Sequence, residues 1–215
     1  MAELIRGLDA AVVRRNLERV REEIASTGRD PAEVEVLAAV KYVALEEVGV
    51  LAEAGIAVAG ENRAQDLEAK AHAHPELTWD FIGHLQSRKV KQVLPHVRFI
   101  HSVASDSVLK QLERHGTPET EVLVEVNIAG EEGKSGIAPA ELDEFVARCP
   151  VRVVGLMTMP PLAEDPEDSR RWFAALAEIA GERGLRHLSM GTSQDYLVAV
   201  QEGATIVRLG TTLYR

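Results

Sequence analysis

Lys41 closes the apolar run Val34-Glu35-Val36-Leu37-Ala38-Ala39-Val40. A lysine that ends a buried strand must keep its ammonium solvated, pair it, or shed its charge. A partly desolvated amine attacks carbonyl carbon and forms a Schiff base. The plainer reading is a side chain that snorkels from a strand end into water. Further along, Ser189-Met190-Gly191-Thr192-Ser193 and Arg208-Leu209-Gly210-Thr211-Thr212 each gather small residues and hydroxyls. Small residues let backbone N–H groups approach an oxyanion, and hydroxyls add donors, so together the two segments suit an anion. Taken singly, each has the composition of a turn. Arg208 itself interrupts the apolar stretch Thr205-Ile206-Val207-Arg208-Leu209. A guanidinium inside a closed core stays charged and needs a carboxylate, a phosphate or a heterocyclic nitrogen, whereas one facing the outer layer reaches water.

Other candidates are fewer. His84 is the one histidine expected near a site. His72 and His74 are separated by one residue, not by the i,i+4 spacing that aims two ligands from one helical face, and are expected to face solvent. No metal constellation and no Ser/His/Asp arrangement is legible from spacing.

A 215-residue chain with 46% hydrophobic and 27% charged residues has the composition of a soluble globular domain and can bury a substantial core. Nothing reads as a linker, so residues 1–215 are expected to form a single domain. The formal charge of −10 opposes binding to a nucleic-acid backbone, and the basic cluster Arg88, Lys89 and Lys91 reads as a solvated helix start. One cysteine, Cys149, excludes an internal disulfide and a cysteine metal cluster. The N-terminal stretch, interrupted by Glu3, Arg6, Asp9, Arg14 and Arg15, has neither a signal-peptide core nor a membrane span. A cytoplasmic location is expected.

The elements that must position these residues follow from periodicity. Val12, Val13, Leu17, Val20 and Ile24 mark an amphipathic helix over 9–26, ended by Thr27-Gly28-Arg29-Asp30-Pro31. Strands are expected near 34–41, 56–60, 79–83, 97–102, 121–128, 151–158, 187–191 and 205–209, alternating with helical stretches. Eight such units imply parallel pairing with right-handed crossovers, and the closed solution is a single (β/α)8 TIM barrel with an additional N-terminal helix. A doubly wound open sheet is the alternative. The barrel is favoured because the eighth strand is followed almost at once by Arg215, with no helix after it, while the N-terminal helix can cover the gap between strands eight and one.

In a barrel the ligand site lies at the C-terminal strand ends. Lys41 would end the first, Glu61-Asn62 follow the second, His84 and Gln86 the third, and Asn127 ends the fifth. Met157 and Met159 lie at the sixth, and the two small-residue segments at the seventh and eighth, the habitual barrel phosphate position. Alternation places Leu37, Ala39 and Lys41 toward the axis and Val36, Ala38 and Val40 toward the helices.

An amine, an anion cradle and a buried arginine at one barrel mouth meet the needs of pyridoxal 5′-phosphate (PLP). Over essentially its whole length the chain resembles the YggS/PROSC family of pyridoxal phosphate homeostasis proteins, whose fold is that of the alanine racemase N-terminal barrel. The resemblance rests on Leu37-Ala38-Ala39-Val40-Lys41, Gly60-Glu61-Asn62, residues 79–89 (WDFIGHLQSRK), Lys134-Ser135-Gly136-Ile137, Gly155-Leu156-Met157-Thr158-Met159, Ser189-Met190-Gly191-Thr192-Ser193 and Val207-Arg208-Leu209-Gly210-Thr211. It implies a covalent aldimine on Lys41, Asn62 and Met157 lining the cofactor, Ser193, Gly210 and Thr211 holding the phosphate, and Arg208 facing the ring nitrogen or, alternatively, the phosphate. Two positions depart from the family pattern. Val40 replaces a usual Ser or Thr, and Gln194-Asp195 a usual acidic pair.

The resemblance implies a protein that buffers or delivers PLP and supports amino- and keto-acid homeostasis with little or no catalysis, with apo PLP enzymes as candidate recipients. A monomer is expected. The alternative is a low-activity amino-acid racemase. Against it, the chain ends without the β-domain that supplies a catalytic tyrosine to alanine racemases. Tyr42 should point to the opposite side of the strand from Lys41, and an arginine at the ring nitrogen weakens the ring as an electron sink. A third reading is an aldolase that uses Lys41 on a sugar phosphate. Lys134 is left open as a second PLP site.

Overall fold

The structure is a computed structural model that describes residues 4–215. Asp9 caps the first helix, α1 (Ala10–Ser26), by accepting from the backbone N–H groups of Ala11 and Val12. Those donors have no partner inside the helix. Val13, Leu17, Val20 and Ile24 form its buried stripe, and the helix gives way at Thr27 to Gly28, whose φ of 87° favours glycine.

Eight strands follow: β1 (Glu35–Ala39), β2 (Val58–Glu61), β3 (Thr78–Phe81), β4 (Phe99–Val103), β5 (Glu121–Glu125), β6 (Arg152–Met157), β7 (His187–Thr192) and β8 (Ile206–Leu209). They pair in parallel in chain order, and β8 returns to β1 with Glu35 opposite Ile206 and Ala38 opposite Leu209. This closing pair excludes the open sheet, which would leave two unpaired edges. The crossovers carry α2 (Val48–Glu53), α3 (Ala64–Ala73), α4 (Val90–Val93), α5 (Asp106–His115), α6 (Leu142–Ala147), α7 (Arg170–Glu182) and α8 (Tyr196–Gln201).

Side chains alternate as a pleated strand requires, except in β6, where an extra residue between Val153 and Gly155 shifts the phase so that Val154 and Met157 both face inward. Leu37, Val58, Phe99, Leu123, Val154, Met157 and Ile206 pack together inside the barrel, while Ala38, Val40, Ala59, Trp79, Ile100, Val122, Val207 and Leu209 belong to the shell between strands and helices. Val40 therefore faces the helices as expected, and its departure from the family pattern leaves the barrel mouth untouched.

Three boundaries need correction. β1 ends at Ala39, not at Lys41, because the chain turns there and the Val43 N–H donates to the Val40 carbonyl. β5 ends at Glu125 rather than 128. A short helix also follows β8: the single turn α9 (Thr211–Tyr214). α1 packs against α2, α8 and α9, across the seam between β8 and β1. Its buried Asn16 side-chain amide donates to the carbonyls of Leu213 and Arg215, at 3.1 and 3.0 Å. The N-terminal helix thus does the covering expected of it, and it also pins the C-terminal turn beneath the mouth.

Candidate functional site

A cavity of about 780 Å³ opens at the C-terminal ends of the strands, and it is lined by Lys41, Asn62, Met157, Ser193, Arg208, Gly210 and Thr211. All seven residues singled out from sequence thus meet in one place. The volume lies within the range of about 300–1,000 Å³ usual for small-molecule sites. His84, Asn127 and Met159 line it too.

Lys41 is exposed at the rim rather than half-buried in a strand. Its amine lies 4.7 Å from the centre of the Tyr42 ring, and Tyr42 lines the same cavity. The two residues sit in a turn, so strand alternation does not separate them, and the expectation of opposite sides fails. The backbone before Lys41 is firmly held. Lys70 on α3 donates from Nζ to the Val40 carbonyl at 2.7 Å and to Glu61 at 2.6 Å, while the other Glu61 oxygen accepts from the Asn62 N–H at 2.6 Å. This ion pair is buried, so removing one partner would strand a charge. The Tyr214 hydroxyl donates to the Ala39 carbonyl at 3.1 Å. Burial, joined by the charge of Glu61, pushes the Tyr214 phenol above its usual range, which keeps it a donor.

Arg208 points inward from β8. One guanidinium nitrogen donates to the carbonyl and hydroxyl of Ser189, both at 2.6 Å, and the other to the Thr158 carbonyl at 2.9 Å, with the Met159 sulfur at 2.8 Å. Among the described residues no carboxylate lies within salt-bridge distance of it. Burial pushes Arg208 down to about 10 against the opposing charges of Asp195 and Glu125, so it remains protonated at neutral pH.

Behind Arg208 runs a polar chain that the sequence reading missed. His101 Nδ1 lies 2.8 Å from Ser189 Oγ and its Nε2 3.1 Å from Asp80, and Arg98 joins Asp80 to Glu35 near the opposite end of the barrel. Burial raises Asp80, but hydrogen bonds from His101 and Arg98 and the charge of Arg98 outweigh it, so its carboxyl lies below the ordinary range. An ionised Asp80 can only accept, so His101 carries its proton on Nε2 and accepts the Ser189 hydroxyl on Nδ1. Burial pushes His101 below its usual range, Asp80 opposes this, and Arg208 and Arg98 reinforce it. His101 is therefore neutral at pH 7. Phe99 and His101 share one face of β4, and Asp80, Ser189 and Arg208 are single polar residues at inward positions. That alternation was the available signal.

The cradle is formed where β7 and β8 end. Ser193 Oγ accepts from the backbone N–H groups of Gly210 and Thr212 at 3.3 and 3.4 Å, leaving its own hydrogen free for an acceptor. Gly191 sits at φ 89°, pressed against Tyr196 and Ala199, where a Cβ has no room. Asp195 accepts from the N–H and hydroxyl of Thr192 at 2.7 and 3.1 Å, which gives the departing Gln194-Asp195 pair a loop-closing role. Across the mouth, the Asn62 backbone lies against Gly83 so closely that any side chain there would collide with it. Asn62 Oδ1 is buried without a hydrogen-bond partner. A buried acceptor of this kind fits a ligand donor. Lys134 also lines the cavity, but its ammonium is paired with Glu131 at 2.5 Å.

Residues 8–215 match the family described as alanine racemase, N-terminal domain. A curated relative from Aquifex aeolicus, named pyridoxal phosphate homeostasis protein, is 40% identical, with 93% of this chain and 94% of the relative covered. The chain belongs to the pyridoxal phosphate homeostasis protein family. Among solved structures, a protein from Bifidobacterium adolescentis superposes with a TM-score of 0.87 at 31% identity, covering 99% of this chain and 98% of the other. PipY of Synechococcus elongatus, solved with PLP bound, gives a TM-score of 0.78 at 30% identity, covering 94% of this chain and all of PipY. As in other members of the family, the barrel here is the alanine racemase N-terminal fold.

The buried histidine makes stability depend on pH. Its protonation is disfavoured in the folded state, so below about pH 6.5 the unfolded chain takes up more protons and stability falls as pH falls from that value toward the depressed one. Urea unfolding at pH 7.5, 6.0 and 5.0 should show this loss, with a slope approaching about 1.4 kcal/mol per pH unit for one proton. His187, also lowered mainly by burial, acts in the same direction. His101→Gln should therefore flatten the slope in part, and an unchanged slope would refute the assignment of a neutral His101.

Proposed function

We propose that this chain binds PLP covalently through the Lys41 amine and holds it for transfer to other PLP enzymes, as a store of the cofactor and not as a dedicated catalyst. The observation that carries the reading is a protonated, buried Arg208 without a carboxylate, facing the same cavity as the Lys41 amine and the unsatisfied Asn62 oxygen. Such a set asks for a ligand with an aldehyde, acceptor atoms for Arg208 and a donor for Asn62 Oδ1, and PLP has an aldehyde, acceptors and a ring hydroxyl. PipY, solved with PLP bound, supports the choice.

When bound, PLP supplies an electron-withdrawing ring able to stabilise negative charge on a carbon next to its imine. The residues of this chain do the rest. Ser193 and Thr211 offer hydroxyl donors to the phosphate, with the Gly210 and Thr212 N–H groups holding the Ser193 oxygen so that its hydrogen points to an acceptor. Arg208 only donates, so a ring nitrogen facing it is kept unprotonated, which weakens the ring as an electron sink. Asn62 and Met157, which line the cavity, would flank the ring. Tyr42, the candidate second base, lies beside the Lys41 amine rather than across the cavity from it. Exposed Tyr42, Met159 and Leu162 at the rim give a recipient protein an apolar surface to close over.

The loaded protein should restore activity to an apo PLP enzyme while showing negligible alanine racemization. Turnover of about 1–1,000 per second, typical of dedicated enzymes, would make it a racemase instead. Replacing both Ser193 and Thr211 by Ala should cost about 1.5–3 kcal/mol per lost bond to the phosphate, roughly ten- to a hundred-fold each. The double variant should then discriminate less between PLP and pyridoxal in equilibrium binding. Unchanged discrimination would place the phosphate elsewhere.

A further inference from the structure

On the outside of the barrel, away from the cofactor cavity, three metal-ligating side chains converge. Glu68 and His72 lie one turn apart on α3, and His96 comes from the turn before β4; their ligand atoms all lie within 4.8 Å of one another. The i,i+4 pair that His72 lacks with His74 it has with Glu68. The two imidazoles meet edge to face with centroids 4.9 Å apart. Among the described residues neither ring makes a hydrogen bond, whereas His74 and His101 have both ring nitrogens engaged.

Glu68 is already oriented. One of its oxygens accepts from the Gln92 side-chain amide at 2.6 Å, and the Gln92 oxygen accepts from Lys89 at 3.1 Å. No cation pairs with Glu68 directly among the described residues, and its second oxygen is free. The group thus offers three open lone pairs from two elements, with a carboxylate held by an outer hydrogen-bond chain. That is how metal ligands are commonly set.

We propose that Glu68, His72 and His96 bind a late first-row divalent ion such as Zn²⁺, with water completing the tetrahedron. Two imidazoles and one carboxylate suit Zn²⁺ and its neighbours, not Mg²⁺ or Ca²⁺, which favour oxygen ligands. Ligand atoms around tetrahedral Zn²⁺ stand about 3.4 Å apart, given bonds of about 2.0–2.1 Å. From the present separations of up to 4.8 Å, the ligand atoms would have to draw together by at most about 1.4 Å. The ion would clamp α3, which also carries Lys70, to the turn that leads into β4.

Titration of the full-length protein with ZnCl₂ by calorimetry, with a chromophoric chelator as competitor, tests this. One Zn²⁺ should bind per chain, with no response to MgCl₂. His72→Ala and His96→Ala should each abolish that binding, and Gln92→Ala should weaken it by about 10–100-fold. Glu68→Gln, which preserves shape, should weaken it by at least about tenfold and covers the case in which a histidine variant misfolds. No binding by the wild type, or binding undiminished in the folded variants, overturns the proposal.

Discussion

A positive charge sealed inside a barrel governs this architecture. Arg208 is buried on β8 with neutral acceptors around it and no carboxylate against it, a placement that costs free energy unless its donors are used and its charge is balanced. Much of the barrel interior serves that end. Ser189 turns both its oxygens toward the guanidinium and donates its hydroxyl hydrogen bond to His101, which in turn is held by Asp80. Every donor in this chain has a fixed direction because both of its ends are charged. An inner layer that other barrels fill with branched apolar side chains is given over here to one oriented polar relay, with Leu37, Val58, Phe99 and Ile206 packed around it.

The second constraint is on the lysine. Lys41 lies outside any regular strand, and its freedom to reach into the cavity depends on the two peptides before it. The Lys70–Glu61 pair holds one and Tyr214 the other. The same Glu61 fixes the start of the Asn62 segment, so the amine and the unsatisfied amide oxygen are positioned by one buried carboxylate. The C-terminal turn is tied in turn to α1 through Asn16. The helix that precedes the barrel therefore contributes to the order of the mouth.

Much of this was legible in the chain because parallel strands in a barrel are short, apolar and regularly spaced, and because site residues sit where such runs stop. The eight strands, the closing role of α1 and the seven cavity residues all followed from that pattern and from the family resemblance. The rest depends on turns and on long-range pairings. A turn, invisible to periodicity, ends β1 early and brings Tyr42 beside Lys41. No spacing marks His101, Asp80 or Lys70, because their partners come from other elements: Ser189 for His101, Arg98 for Asp80, and Glu61 with the Val40 carbonyl for Lys70. These partners stand 9 to 88 residues apart and meet only when the barrel closes, which spacing alone does not encode.

Two lysines line the cavity, and electrostatics distinguishes them: Lys134 is paired with Glu131, while Lys41 has no carboxylate partner among the described residues. The free Lys41 amine is therefore the proposed carrier of the cofactor. Borohydride reduction of the PLP-loaded protein, followed by peptide mass mapping, tests it directly. A pyridoxyl adduct is expected on Lys41 and absent from Lys41→Ala; an adduct confined to Lys134 or to a surface lysine would overturn the assignment.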